Sequence, residues 1–325
     1  MSSLSLKKMF IVLIRASFLF VGLLLFKTTL ADTKVFVTNQ GSNTVSVFSF
    51  DEKLTLQKEI PVGVAPAGVA VSKVNREVYV SNTESSEVTV IDVDSLQVKK
   101  SIKLSGSSLG IAVSKDGKKL FVADWFNDCL VIINLDSHEN GCLKVGQAPA
   151  GISVSSKKDE LYVASRDSNS VFIVSTSREK VIGEVMVGDH PFGIRLTPTE
   201  DHLFVTNVQS NDISIIDLKN RKEISRVQVG KKPYCVTFSL DGKRAFVTNQ
   251  YSDSISVINT DSFQVERTLT SGSFPEGIDT YGSYIFFVNW LDEELVVIDT
   301  KNLEVVDYAI TGSNPRNFGS FIFQD

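Results

Sequence analysis

A short stretch that ends in a polar residue recurs along the chain at a nearly constant spacing. It first reads Val-Phe-Val-Thr-Asn at 35–39, and its last residue recurs at Asn39, Asn82, Asp124, Ser165, Asn207, Asn249 and Asn289. The intervals between these residues are 43, 42, 41, 42, 42 and 40. A period near 42 residues with no helical pattern inside it is typical of a β-propeller or a β-solenoid. It argues against a mixed α/β domain.

Each repeat contains four short strands in the same order. A Pro-x-Gly segment such as 66–68 begins the first strand, and the recurring stretch is the second. A polar loop of five residues leads to the third strand, and a more polar fourth strand ends at a Gly. Because this loop has the same length in all seven repeats, we interpret the repeat as one supersecondary unit. Apolar inner strands and a charged outer strand indicate a blade whose outer edge meets water.

The two ends of the repeat region complement each other. The first repeat begins at its second strand, and residues 315–323 form a Pro-x-Gly-type strand with nothing after it. Joined together, the two ends complete a seventh blade, which is how propellers close their ring. We therefore predict an all-β fold over residues 32–325. It is a seven-bladed β-propeller of four-stranded antiparallel blades, closed by N- and C-terminal strands that share one blade.

Residues 1–31 differ from the rest of the chain. Lys7 and Lys8 precede an apolar run over 10–26 that only Arg15 interrupts, and Thr29 and Ala31 are small residues at the two positions that a signal peptidase reads for cleavage after Ala31. This pattern predicts a secretory signal peptide and a periplasmic or secreted mature protein. The alternative is an uncleaved anchor. Only eleven residues of the run follow Arg15, whereas a spanning helix needs about 20 apolar residues.

Removal of the signal peptide changes the charge balance. The peptide holds four basic and no acidic residues, so the mature chain has 29 basic and 38 acidic residues, a net charge near −9. An acidic chain is a poor candidate for electrostatic capture of nucleic acid or anionic lipid. We expect no nucleic-acid partner, no stable membrane anchor after cleavage, and a monomer.

The three cysteines allow different chemistry. Cys129 and Cys142 flank one predicted hairpin in the third repeat. In an oxidising compartment they could form a disulfide if their Cα atoms lie within about 7 Å. Two free buried thiols are an equal alternative, because the strand register is open. Cys235 occupies the Gly position of a Pro-x-Gly segment, where a small buried residue is favoured over a reactive thiol.

Metal and cofactor signals are weak throughout the sequence. His138, His190 and His202 show no ligand spacing, and the chain has no Cys-x-x-Cys, His-x-x-x-His or calcium-loop motif. A c-type haem attachment motif and a serine nucleophile elbow are also absent from the sequence. We expect no metal and no cofactor, and we assign no catalytic residue.

Unusual residues at equivalent repeat positions point to a binding site, because equivalent positions of a propeller surround the axis. The residues after the Pro positions include large and charged side chains, and both tryptophans of the chain follow the recurring Asn position. Aromatic and Arg side chains with a few charges are typical of ligand pockets and protein hot spots. We predict that one mouth of the central channel is lined by Trp125, Arg166, Phe192, Tyr234, Glu276, Trp290 and Arg316.

Another equivalent position of the repeats contains two more charged residues. At the fourth residue after each Pro position, small side chains predominate, and Arg195 and Asp279 are the exceptions. We include both among the candidate ligand- or partner-binding residues. The alternative is structural: Arg195 with Asp279, and Arg316 with Glu276, would be ion pairs that plug the channel, while the tryptophans pack between blades.

The repeat motifs resemble those of a known family. The Tyr/Phe-Val-Thr/Ser-Asn stretch, the Val-Ser-Val-Ile-Asp type of third strand and the Pro-x-Gly segment are similar to the YVTN family of bacterial β-propeller repeat proteins. The resemblance covers residues 34–323. It implies the propeller fold and is much less specific for function. Similar exported proteins include partners of periplasmic oxidoreductases, binding proteins and surface proteins.

These observations favour an exported binding or scaffolding module that engages a partner protein or a small ligand at one channel mouth. The alternative is a subunit or accessory protein of a periplasmic quinone- or haem-dependent dehydrogenase, or a small hydrolase. Only Glu276 and Asp279 offer convergent carboxylates for such chemistry, so an enzyme is less favoured. A cell-surface adhesion protein is a third hypothesis, and fold alone does not decide between the three.

Overall fold

Residues 33–325 are described by a computed structural model, in which seven antiparallel sheets form the blades of a propeller. The predicted fold is confirmed, including the blade shared by the N- and C-terminal strands. The predicted signal peptide, residues 1–31, lies outside the described residues. Within residues 33–325, no helix is both long enough and apolar enough to cross a membrane.

The strands follow one another from the axis outwards in each blade. Blades 1 to 4 contain β1 (Lys34–Asn39), β2 (Thr44–Phe50), β3 (Leu54–Pro61); β4 (Pro66–Ser72), β5 (Glu77–Asn82), β6 (Glu87–Asp92), β7 (Gln97–Lys103); β8 (Ser108–Val113), β9 (Lys119–Asp124), β10 (Cys129–Asn134), β11 (Asn140–Lys144); and β12 (Pro149–Val154), β13 (Leu161–Ser165), β14 (Ser170–Ser175), β15 (Lys180–Met186). Blades 5 to 7 contain β16 (Pro191–Leu196), β17 (His202–Asn207), β18 (Asp212–Asp217), β19 (Lys222–Gln228); β20 (Pro233–Phe238), β21 (Arg244–Asn249), β22 (Ser254–Asn259), β23 (Gln264–Thr270); and β24 (Pro275–Tyr281), β25 (Tyr284–Asn289), β26 (Glu294–Asp299), β27 (Val305–Ile310).

The C-terminal segment closes the ring in two steps. Its last strand, β29 (Ile322–Phe323), is the innermost strand of blade 1 and pairs antiparallel with β1. Before it, β28 (Phe318–Gly319) pairs in parallel with β4, which gives the sheet of blade 2 a fifth strand. The sequence suggested a single strand here. The chain instead turns at Gly319, whose φ of 136° is accessible to glycine and rare for other residues.

Close approach between neighbouring inner strands explains the Gly of the Pro-x-Gly segment. A Cβ on Gly68 would lie 2.1 Å from the carbonyl oxygen of Leu109 in the next blade, and one on Gly110 would lie 1.9 Å from that of Ala150. The left-handed backbone falls instead on the residue before the Pro, as at Ala65 with φ 55°. The Gly therefore provides space rather than an unusual φ angle.

A hydroxyl group in the recurring stretch links neighbouring blades. In blade 5, Thr206 Oγ1 accepts a hydrogen bond from the Gly193 N–H (2.8 Å) and donates one to the Tyr234 carbonyl of blade 6 (2.9 Å). The same bridge to the next blade is made by Thr38 to Ala67, Ser81 to Leu109 and Thr248 to Glu276. Each bridge satisfies buried backbone groups on both sides of a blade boundary, where an unpaired group would be costly.

The Asn of the recurring stretch fixes the five-residue loop that follows. Asn207 Nδ2 donates to Asp212 Oδ1 (2.6 Å) and to Ser214 Oγ (2.8 Å), which lie after the loop. The fourth residue of each loop has a left-handed backbone. When this fourth residue is Asn or Asp, its side chain can accept a hydrogen bond from the next blade. Asn169 Oδ1, for example, accepts one from the His190 N–H (2.9 Å). The loops therefore position the Pro-x-Gly segments.

Cys129 and Cys142 are joined by a disulfide between β10 and β11, with their Cα atoms 5.6 Å apart. The two cysteines lie on neighbouring strands of the predicted hairpin but are not direct partners. The register places Cys129 opposite Lys144 and Cys142 opposite Val131, so the bridge is diagonal on one face of the sheet. Cys235 is buried and forms no disulfide within residues 33–325. Burial raises the pKa of its thiol, which disfavours a reactive thiolate.

The Thr206 bridge gives a stability prediction. Thr206→Val keeps the side-chain shape but leaves the Gly193 N–H and the Tyr234 carbonyl unpaired, so we expect a loss of about 2 kcal/mol in unfolding free energy. Thr206→Ser keeps the hydroxyl and loses one buried methyl, about 1 kcal/mol. Urea unfolding of residues 32–325 would measure both values. A larger loss for Ser than for Val would contradict the bridge.

The disulfide gives a second stability prediction. Cys129 and Cys142 are separated by 13 positions, and closing a loop of about this size stabilises a fold by about 3 kcal/mol. The double variant Cys129→Ser, Cys142→Ser should lose a similar amount in urea unfolding. Reductant should lower the stability of the wild-type chain to that of the variant and leave the variant unchanged. Equal stability of the oxidised chain and the variant would count against the bridge.

Candidate functional site at the loop mouth

The central channel has two different ends. Each inner strand starts with its Pro-x-Gly segment at the end surrounded by the five-residue loops, which we call the loop mouth. It then runs to the end surrounded by the turns between first and second strands, which we call the hairpin mouth. Residues after the Pro therefore gather at the loop mouth, together with the first residues of the loops.

A cavity of about 350 Å³ opens at the loop mouth. It is lined by Gln40, Arg166, Phe192, Val208, Tyr234, Gln250, Phe274, Glu276, Trp290 and Arg316. Trp125 lies beside it, with its ring 5.3 Å from Arg166 Cζ and 6.0 Å from the Phe192 ring centroid. The structure thus brings all seven residues predicted for one mouth into a single group.

Apolar side chains close the channel beneath this cavity. The Phe192 ring lies 4.8 Å from the Tyr234 ring and 4.9 Å from the Phe318 ring, measured between centroids, and Leu109 belongs to the same buried cluster. Below them a space of only about 40 Å³ remains, next to the crowded glycines of the inner strands. The loop mouth is therefore a depression with a solid floor.

Buried polar groups form one side of the floor. Arg316 Nε donates to the Tyr234 hydroxyl (3.0 Å) and lies 3.3 Å from Glu276 Oε2, while another guanidinium nitrogen donates to Gln40 Oε1 (3.1 Å). Gln250 Nε2 donates to Glu276 Oε1 (3.0 Å). The ion pair between Arg316 and Glu276 that the structural alternative expects is present, within a network that orients both charged groups.

The Glu276 carboxyl has an unusual proton affinity. The residue is only 3% exposed, and burial raises its pKa to about 7 because the charged form loses water. Arg316 and the hydrogen bond from Gln250 oppose this shift, since both stabilise the ionised form. The floor can therefore change its charge near neutral pH.

Aromatic side chains extend from the cavity towards the rim. The Trp290 ring lies 5.7 Å from the Phe274 ring, which lies 5.4 Å from the Tyr251 ring. Phe274 precedes its Pro and has a φ of 61°. Both Trp125 and Trp290 are partly exposed at the mouth. This row gives the loop mouth an apolar wall next to its polar floor.

Arg195 and Asp279 lie on the other side of the floor. Arg195 follows Phe192 by three residues, about 10 Å along an extended strand, and lines a separate cavity of about 320 Å³ towards the hairpin mouth. The two side chains form an ion pair, and Asp279 also accepts hydrogen bonds from the backbone N–H groups of Thr280 (2.9 Å) and Phe321 (3.0 Å). They do not join the residues at the loop mouth.

Sequence reasoning missed five residues of the site. Gln40, Val208 and Gln250 occupy the same repeat position as the tryptophans, directly after the recurring Asn position, so that position already contained the signal. Phe274 precedes a Pro, and Phe318 lies in the closing segment, where no repeat position indicated its role. Within residues 33–325, no group of three or more His, Cys, Asp and Glu residues is placed to hold a metal ion.

The raised pKa of Glu276 predicts a pH-dependent stability. Its pKa rises from 4.5 to about 7 on folding, so the folded state holds the proton more tightly than the unfolded state. The unfolding free energy should therefore fall as pH rises from about 4.5 to about 7, by at most about 3 kcal/mol. Glu276→Gln should remove this slope in urea unfolding. Glu304→Gln on the surface is the control, and an unchanged slope for Glu276→Gln would contradict the assignment.

Comparison with known proteins identifies the family and confirms the fold. No curated protein matches the chain significantly. A solved structure titled Kuenenia stuttgartiensis hydrazine synthase is 18% identical over 80% of this chain and 92% of its own, with a TM-score of 0.70. Dihydro-heme d1 dehydrogenase NirN in complex with DHE is 17% identical over 89% of this chain and 74% of its own, with a TM-score of 0.66.

A third similar structure is a functionally unknown protein from Desulfotomaculum acetoxidans DSM 771. It is 17% identical over 90% of this chain and 98% of its own, with a TM-score of 0.74. At these identities the likeness concerns the fold alone. A family model, YNCE-like beta-propeller, matches residues 25–157 and 154–285. The chain therefore belongs to the YNCE-like beta-propeller family.

Proposed function

We propose that the mature chain is an exported binding module whose loop mouth engages a partner protein. One observation carries this proposal. The second residues of the five-residue loops form an outer ring around the mouth, and three of them are large, apolar and exposed: Phe126 (76%), Tyr251 (63%) and Leu291 (58%). Exposed apolar groups gathered around one depression are typical of protein interaction sites.

The residues inside this ring supply suitable anchors. Trp, Tyr and Arg are enriched at the centres of protein interfaces because they combine a large apolar area with a polar group. Trp125 and Trp290 are partly exposed, and Arg166 is held over the Trp125 ring and bound to Asp167 (2.6 Å). These contacts fix the side chains before binding, which lowers the entropy cost of association.

A small ligand is the second possible occupant of the loop mouth. The cavity of about 350 Å³ is at the lower end of the usual range for ligand pockets, about 300–1,000 Å³. Its solid floor limits how deeply a ligand can be enclosed. A partner that also contacts the outer ring would cover more apolar surface, so we favour a protein.

Two features support export. The N-terminal sequence has the pattern of a secretory signal peptide. The disulfide between Cys129 and Cys142 suits the oxidising conditions outside the cytosol. The resemblance to YVTN repeat proteins also supports export and binding, because that family contains exported binding proteins.

The redox alternative rests on fold likeness to the two structures titled as a hydrazine synthase and a dehydrogenase. In this chain the two candidate carboxylates are both engaged, Glu276 by Arg316 and Asp279 by Arg195. They also lie on opposite sides of the channel floor. This arrangement favours structural roles over paired acid–base chemistry, and the experiment below separates the two functions.

Affinity capture tests the binding function. The tagged mature chain should retain a stoichiometric partner from extract of its own compartment, identified by mass spectrometry. The double variant Trp125→Ala, Trp290→Ala should capture at least about tenfold less of the partner. Truncating two hot-spot residues removes more than about 1.4 kcal/mol of binding free energy. Leu240→Ala is the matched control, since Leu240 is exposed in a turn at the hairpin mouth.

Three outcomes would count against the proposal. Equal capture by the double variant would move the partner away from the loop mouth. A retained small molecule without a protein would favour the ligand alternative. Visible absorbance from a bound cofactor in the purified chain would favour the redox alternative.

A further inference from the structure

The outermost strand of blade 7 differs from the outer strands of the other blades. Those strands carry Lys, Arg or Glu, which protect a sheet edge from unwanted pairing. In contrast, β27 reads Val-Val-Asp-Tyr-Ala-Ile and contains Asp307 as its single charged residue. No strand among residues 33–325 pairs with its outer edge. The outer edge of blade 7 therefore lacks the Lys, Arg and Glu side chains that the other edges carry.

One face of β27 is apolar and exposed. Val305 is 58%, Tyr308 62% and Ile310 64% exposed, and their partners Ile298, Val296 and Glu294 alternate along β26, so the three side chains point to the same side. The strand registers identify the equivalents of Tyr308 and Ile310 in the other blades. They are Glu59, Ser101, Cys142, Glu184, Arg226 and Thr268 for Tyr308, and Pro61, Lys103, Lys144, Met186, Gln228 and Thr270 for Ile310. Blade 7 alone is apolar at both positions.

The backbone of β27 is ready to accept another strand. Asp307 and Ala309 are paired with Val297 and Leu295 of β26, and the Thr311 N–H donates to the Glu293 carbonyl (2.8 Å). In an antiparallel ladder, alternate residues direct their N–H and C=O groups to opposite sides. The backbone groups of Tyr308 and Ile310 therefore face the outer edge.

The single charge of the strand is already engaged inside the molecule. Asp307 Oδ2 accepts a hydrogen bond from the Leu54 N–H of β3 in the neighbouring blade (2.7 Å). It contributes to the contact between blades 7 and 1. The strand thus presents no unsatisfied charge that would oppose the approach of a second polypeptide.

We propose that two copies of the chain pair through β27, edge to edge and antiparallel, as a symmetric dimer. A twofold axis at Ala309 places Tyr308 of each copy opposite Ile310 of the other. These two pairs exchange four backbone hydrogen bonds, and each sets an aromatic against a β-branched side chain, a favourable cross-strand combination. The small Ala309 side chains meet at the axis.

Self-complementarity of this register selects a second copy as the occupant, because Tyr308 meets Ile310, Ala309 meets Ala309 and the strand carries a single charge. In this register Asp307 lies opposite Thr311, so no like charges face each other. Self-pairing of the outer strand of blade 2, which contains three lysines in seven residues, would bring like charges together. The proposed dimer differs from the monomer expected from sequence. It does not depend on the loop mouth, because β27 lies on the circumference of the propeller.

Solution mass tests this dimer directly. Light scattering coupled to size exclusion, on oxidised residues 32–325 over micromolar concentrations, should give twice the monomer mass. The double variant Tyr308→Lys, Ile310→Lys should give the monomer mass with an unchanged circular dichroism spectrum. The control is Met186→Lys, which puts one lysine at the exposed equivalent of Ile310 in blade 4 and should stay dimeric.

A cysteine at the proposed axis tests the register. Ala309→Cys should form a disulfide-linked dimer in air, and Ser101→Cys, on the outer strand of blade 2, should not. A monomeric wild-type chain at every concentration would overturn the proposal. A dimer that persists in the double lysine variant would overturn it as well.

Discussion

The close approach of neighbouring inner strands at the propeller axis is the constraint on which the rest of the structure depends. At Gly68 and Gly110, the next blade's carbonyl oxygen occupies the place where a side chain would begin. Such tight contact buries backbone groups that water cannot reach, so they need partners within the protein. The hydroxyl of Thr206 and its equivalents supplies these partners across the blade boundaries.

The same crowding determines what the channel can be. Because the inner strands meet so closely, the residues after the Pro positions fill the axis with side chains. Phe192, Tyr234 and Phe318 pack into a floor, and Arg316 with Glu276 completes it on the polar side. A solid floor with fixed aromatic and charged groups favours recognition at a surface over passage through a pore.

Sequence could predict features that the repeat itself encodes. The spacing of Asn39 and its equivalents gave the blade count, and the incomplete first and last repeats gave the closure. Equivalent residues of the repeats lie at the same height along the axis. Sequence could therefore place Trp125 and Trp290, which occupy equivalent positions, at one mouth.

Sequence could not predict features that depend on contacts between repeats. The division of the closing segment requires the turn at Gly319 against blade 2, and no other repeat contains it. The diagonal pairing of Cys129 with Cys142 depends on a strand register that loop length alone does not fix. The left-handed backbone that places Phe274 at the mouth recurs before the Pro of other repeats, although propensity disfavours it. It is held by a contact between repeats, since the Phe274 N–H donates to Asp253 Oδ1 of the preceding blade (2.9 Å).

Site-specific photocrosslinking in living cells would test the binding face most directly. A photoreactive amino acid would replace Tyr251 or Leu291 at the loop mouth, and Leu240 at the hairpin mouth, one position at a time. We expect a discrete crosslinked protein band from the positions of Tyr251 and Leu291 and none from that of Leu240. Crosslinks from the Leu240 position alone, or none from the loop mouth, would contradict it.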